Sequence, residues 1–152
     1  MNIDKVFSDF GEEILADAEQ AVERSHLKGY QQAGPDVTRQ RIKALYVLTV
    51  RGVRERNLGP MIAHARQVAT ERFAAGYDLA EVQTAINVLE EVVWRYLQKH
   101  VDREELGQAL GLTSTVLGAA KDVLAGTYVG LATKARMPSL DLRSLFAGTE
   151  GR

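Results

Sequence analysis

The chain has 152 residues, 45% of them apolar and 26% charged, which suits one globular domain and argues against a disordered chain and against a membrane protein. It has no cysteine and three histidines, which removes disulfides, thiol catalysis and Cys-based zinc sites. Nineteen basic residues against twenty acidic ones leave a net charge of -1, without the electrostatics of a nucleic-acid binder. The start, MNIDKVFSDF, lacks the apolar stretch of a signal peptide. The expected setting is therefore cytoplasmic, with neither membrane nor nucleic acid as a partner.

The period along the chain is helical. Phe7, Phe10, Ile14, Ala18 and Val22 recur at steps of three and four and predict a helix over about 4–25. Gly29, Gly34 and Pro35 predict a loop over 26–36. A second helix over 37–56 turns Ile42, Leu45, Tyr46, Thr49 and Val53 inward. Its LYVLTV segment also has strand propensity, but a lone strand among helices would have nothing to pair with.

Pro60 suits the first turn of a third helix, because its missing N–H costs nothing there. The inner stripe of that helix reads Ile62, Ala65, Ala69 and Phe73, and Gly76 is a natural left-handed cap. Asp78 with Glu81 has the form of a capping box. It opens a fourth helix with Val82, Ile86, Leu89, Val93 and Leu97 inward. Asp102 with Glu105 repeats the signal.

The last stretch, about 103–135, carries a heptad seam of Leu106, Leu110, Thr113, Leu117, Ala120, Leu124, Thr127 and Leu131. Unbroken, it would run about 50 Å, against a radius of gyration of about 15 Å for a domain of this length. Either it breaks near Gly111, or a second chain covers the overhang. Leu106, Leu110, Leu117, Leu124 and Leu131 are then the candidate dimer seam. Gly107 with Gly111, and Gly126 with Gly130, would permit close packing of helices. The division is thus a helical domain over 1–135 and a tail over 136–152, expected either to be partly flexible or to dock on a groove through Leu140, Leu142, Leu145 and Phe146. The fold class is all-α, a single bundle of five or six helices.

Chemistry is sparse. No phosphate loop, nucleophile elbow or H-E-x-x-H occurs. Glu23 and His26 have the spacing of a two-metal carboxylate bundle, but the second copy is missing, since Met61 and Leu97 precede His64 and His100 by three. His26, His64 and His100 all read as surface residues, so no metal and no cofactor is expected. Residues 1–23 hold seven acids and Lys5, a sum of -6, and residues 39–56 hold six bases and Glu55, a sum of +5. Arg39, Arg41, Lys43, Arg51, Arg54 and Arg56 therefore either attract the acidic first helix or form a face for an acidic partner.

The segment from Ala65 to His100 resembles the RsbRD N-terminal domain family of bacterial stress-response co-antagonists. Arg72, Gly76, Tyr77, Asp78, Leu79, Glu81, Val82, Leu89 and Trp94 carry the likeness, which extends with Pro60 and the acidic first helix over most of residues 5–132. The resemblance implies a non-enzymatic input or dimerisation module, globin-like but without haem. It supplies no catalytic residues. Family members continue into an output domain such as a STAS domain or a kinase, so this chain is expected either to act on a regulatory protein in trans or to be a piece of a longer protein. The expectation is a regulatory protein that works as a homodimer. The alternative is a small-ligand or haem-binding sensor whose pocket is lined by Tyr46, Phe73, Tyr77, Trp94 and Tyr128.

Overall fold

The computed structural model describes residues 1–136, and every described element is helical. The elements are α1 (Ile3–Arg24), α2 (Lys28–Ala33), α3 (Pro35–Glu55), α4 (Gly59–Ala74), α5 (Leu79–His100) and α6 (Arg103–Arg136). The cluster from Leu140 to Phe146 lies outside the described residues.

Each helix follows from local chemistry. Asn2 caps α1, its side-chain oxygen accepting the Lys5 N–H at 2.9 Å. Pro35 and Pro60 stand in the first turns of α3 and α4, and Gly76 takes the left-handed conformation (φ +84°) after α4. Val6, Phe7, Ile14, Ala18 and Val22 are the buried stripe of α1; Phe10, predicted inward, is only half-buried. The predicted stripe of α5 is fully realised, and Ala85 and Val92 broaden it. The helix α1 packs against α3 and α5, and α6 lies mainly on α4 and α5.

The helices α1 and α3 run antiparallel, since Arg39 Nε meets Glu19 Oε1 at 2.8 Å at one end and Arg54 approaches Asp4 at 3.8 Å at the other. Tyr46 locks the middle, its hydroxyl donating to the Phe7 carbonyl at 2.9 Å and its ring edge-on to Phe7. The opposite charge sums of these two helices are thus partly spent inside the fold.

Three expectations need correction. Residues 28–33 form a helix, not a loop, because a distant side chain supplies what the local sequence lacks. The Glu81 carboxylate accepts the backbone N–H of Gly29 and, at 3.4 Å, that of Tyr30, satisfying donors at the start of α2. That use of Glu81 goes with the second correction: Asp78 occupies the N-cap of α5 without making a side-chain cap bond.

The third concerns α6, which runs 34 residues without a break at Gly111. Its seam is not a free surface. Thr113, Leu117, Ala120 and Leu124 are at most 2% exposed within the chain's own core, while Leu106, Leu110 and Leu131 are half-buried. A heptad stripe is also what a helix needs to lie on two packed neighbours, and α4 and α5 are those neighbours. Gly107, Gly111, Gly118, Gly126 and Gly130 are not packing points either, because a methyl group on any of them would meet nothing within 4 Å. The close approach occurs at Gly52 of α3, where an added methyl would lie 2.9 Å from a Val116 methyl.

Candidate functional site

An aliphatic cavity of about 230 Å³ lies among α3, α4, α5 and α6. Ile42, Leu45, Met61, Ala65, Val68, Val82, Ala85, Ile86 and Leu124 form its apolar wall; Tyr30, Arg41, His64, Glu71 and Arg72 bring polar groups to it.

Arg72 is the unusual member. It is 8% exposed, and its Nε–H finds no acceptor among the described residues. An exposed Glu71 stands 3.6 Å from its Nη1, and the guanidinium lies 5.7 Å from the Tyr77 ring centre. Arg41 joins it from α3. Its Nη1 donates to the Tyr77 hydroxyl at 2.8 Å, its guanidinium lies 5.5 Å from the Tyr30 ring and 5.4 Å from that of Tyr77, and it makes no ion pair among the described residues.

A hydrogen-bonded scaffold holds these groups. Tyr77, on the turn after α4, donates to the Gly29 carbonyl at 2.9 Å, and the Tyr128 hydroxyl donates to the Tyr77 carbonyl at 2.9 Å. Gly29 must be glycine, because a methyl there would meet the Tyr77 ring at 2.5 Å. This clamp seats Tyr30 on the cavity.

Burial comes first in the titration of the lining groups, ahead of the charge of the arginines. Burial and then the Arg72 charge hold the His64 pKa below its ordinary value, against a smaller opposing pull from Glu71. Burial pushes the Tyr30 phenol up despite the opposing pull of Arg72 and Arg41, so Tyr30 stays neutral and supplies no counter-ion.

The aromatic pocket expected from sequence does not assemble. Phe73 and Tyr128 meet edge-on at 5.5 Å and Tyr77 joins them through its backbone, but Tyr46 is buried against α1 and Trp94 is 37% exposed on α5. None of the five lines the cavity. His64, expected at the surface, lines it, while His100 stacks on Phe10 at 4.0 Å and His26 is exposed.

The five basic residues of α3 and Arg56 at its C-cap disperse. Arg39 and Arg54 reach α1, Arg51 pairs with Glu55 at 3.1 Å, Arg56 donates to the Val53 carbonyl and Arg41 turns to the cavity. Lys43 stays exposed and unpaired among the described residues.

Arg72 carries the family likeness in the sequence, but its inward position lies one step off the predicted stripe: that stripe has Ile62 and Phe73 inward on α4, whereas the buried one is Met61, Ala65, Ala69 and Arg72. Steps of four, four and three fit that set equally well, and an arginine on an apolar stripe is the signal that would have pointed to the cavity. Among the described residues no group of three His, Asp or Glu stands close enough to hold a metal ion, and no helix is long and apolar enough to cross a membrane.

Fold and site together define an all-helical bundle domain with a small, largely aliphatic pocket lined by two arginines. The chain belongs to the family described as the RsbT co-antagonist protein rsbRD N-terminal domain, whose profile matches residues 10–135. It is therefore a regulatory input domain of the stress-signalling kind. Neither a curated protein nor a solved structure matches the chain.

Proposed function

We propose that the domain is non-enzymatic and acts by contact, forming a homodimer through the outward face of α6 and presenting a second surface to a regulatory protein in trans. The observation that carries the dimer is the open glycine face: Gly107, Gly111, Gly118, Gly126 and Gly130 line it, Gly107, Gly111, Gly126 and Gly130 exposed and Gly118 half-buried, with Val129 62% exposed beside them. Glycine at five positions of a helix sacrifices about 0.5–1 kcal/mol at each relative to alanine. Nothing within the described chain compensates, and close approach of a second helix would. Lys121 Nζ ties α6 to α5 through Glu90 at 3.2 Å and Asn87 at 3.1 Å, so the exposed line of α5 that carries Trp94 runs beside this face.

The original seam contributes at its ends only, through Leu106, Leu110 and Leu131. The surface for a partner in trans is the outward stripe of α3, where Lys43, Val47 and Arg51 stand exposed at helical spacing. It suits a partner of acidic character. Localisation in the cytoplasm is part of the same reading.

Sedimentation equilibrium at tens of micromolar tests the dimer. A species of twice the chain mass of 16.8 kDa supports it, and a single-chain mass throughout overturns it.

A further inference from the structure

The cavity suggests what the domain receives. An arginine that is nine-tenths buried and leaves one N–H unpaired is costly, because a buried charge without full hydrogen bonding loses hydration that nothing replaces. A second guanidinium, Arg41, lines the same cavity without an ion pair among the described residues. The only carboxylate within 4 Å of the Arg72 guanidinium among the described residues is that of Glu71, exposed and at 3.6 Å. Beneath these charges the wall is aliphatic, so a hydrated inorganic anion would leave most of the space to water in contact with hydrocarbon.

We infer that the cavity binds a compact amphiphilic carboxylate, its head on Arg72 with Arg41 contributing charge, and its apolar body between α3, α4, α5 and α6. The planar guanidinium fork matches a carboxylate better than a phosphate ester's bulk would allow in this volume. Size limits the ligand further. A cavity of about 150 Å³ accommodates benzene, so a pocket of 230 Å³ that opens to solvent has room inside for a body of about nine or ten non-hydrogen atoms. The inference does not depend on the dimer, since every residue it uses lies in one chain.

Octanoate and 1-octanol are the probes, titrated calorimetrically into the full chain below the micellar range of octanoate. Octanoate is expected to bind at least about tenfold more tightly than octanol, because only the carboxylate answers the buried charge. Arg72→Met should remove that advantage and leave octanol binding unchanged. Ala85→Leu, which fills the cavity from α5, should abolish binding of both while the helical circular dichroism persists. Should Arg72→Met fail to fold, Arg41→Met is expected to weaken octanoate selectively. Equal binding of the two probes, no binding of octanoate, or undiminished octanoate binding by folded Ala85→Leu would each overturn the inference.

Discussion

Replacing Gly107, Gly111, Gly118, Gly126 and Gly130 together by alanine separates the two roles that α6 has in this account. In the isolated chain each new methyl meets nothing within 4 Å, so the substitution should act through backbone entropy alone. Each alanine then gains about 0.5–1 kcal/mol, or about 2.5–5 kcal/mol for the set if the positions add. For a domain of this length one kcal/mol moves the melting temperature by roughly 2–4 °C, so the variant should melt about 5–20 °C higher under dilute, monomeric conditions. Self-association should move the other way, because five methyls hold two helix backbones apart where glycine lets them touch. Circular dichroism melts at low concentration and sedimentation equilibrium at high concentration read the two effects separately. A variant no more stable than the parent would show that the face is not open in the single chain. One that associates as tightly as the parent would show that the face is not the interface.

Three further outcomes follow from the interior. Glu81→Gln should destabilise the fold by about 1–3 kcal/mol, the worth of charge-assisted bonds to backbone donors, and should speed amide exchange at Gly29 and Tyr30 before any other site. Gly52→Ala should be destabilising in denaturant titrations although alanine is the better helix former, because the methyl would lie 2.9 Å from a buried valine and overpacking costs about 1–3 kcal/mol against a gain of about 1. In alkaline titration Tyr46 and Tyr128, pushed up to about 12 chiefly by burial, and Tyr96, pushed up to about 12 chiefly by its 2.6 Å bond to Asp17, should give no tyrosinate absorbance near pH 10. A folded pKa above the unfolded value of 10 means that their contribution to stability is complete below pH 10 and is lost as pH rises toward 12. Ordinary titration of all five tyrosines in the folded chain would contradict the packing described.

The helices could be read ahead of the structure wherever local chemistry sets them. Pro60 and Gly76 bracket α4, and the stripe from Val82 to Leu97 needs only a period of 3.6 to be seen. What could not be read depends on groups far apart in sequence. The helix α2 owes its first turn to Glu81, 52 residues from Gly29, and no local pattern announces such a cap. The seam of α6 was correctly seen as apolar and periodic, but periodicity does not say whether α4 or a second chain lies against it. The cavity was missed because two overlapping stripes on α4 fit the same spacing, and the one ending in Phe73 looked more hydrophobic than the one ending in Arg72. Of the candidate pocket, Tyr77 bears on the cavity only indirectly, by anchoring Arg41 and Gly29.

The chain has no cysteine, so a single one placed at Glu91, on the exposed line of α5 beside the α6 face, and spin-labelled reports on that face without filling it. The account predicts strong dipolar coupling between labels in the associated protein, lost on dilution with unlabelled chain, and weaker coupling when the label is moved to Lys43 on α3. Association without coupling at Glu91, or stronger coupling at Lys43, would contradict it.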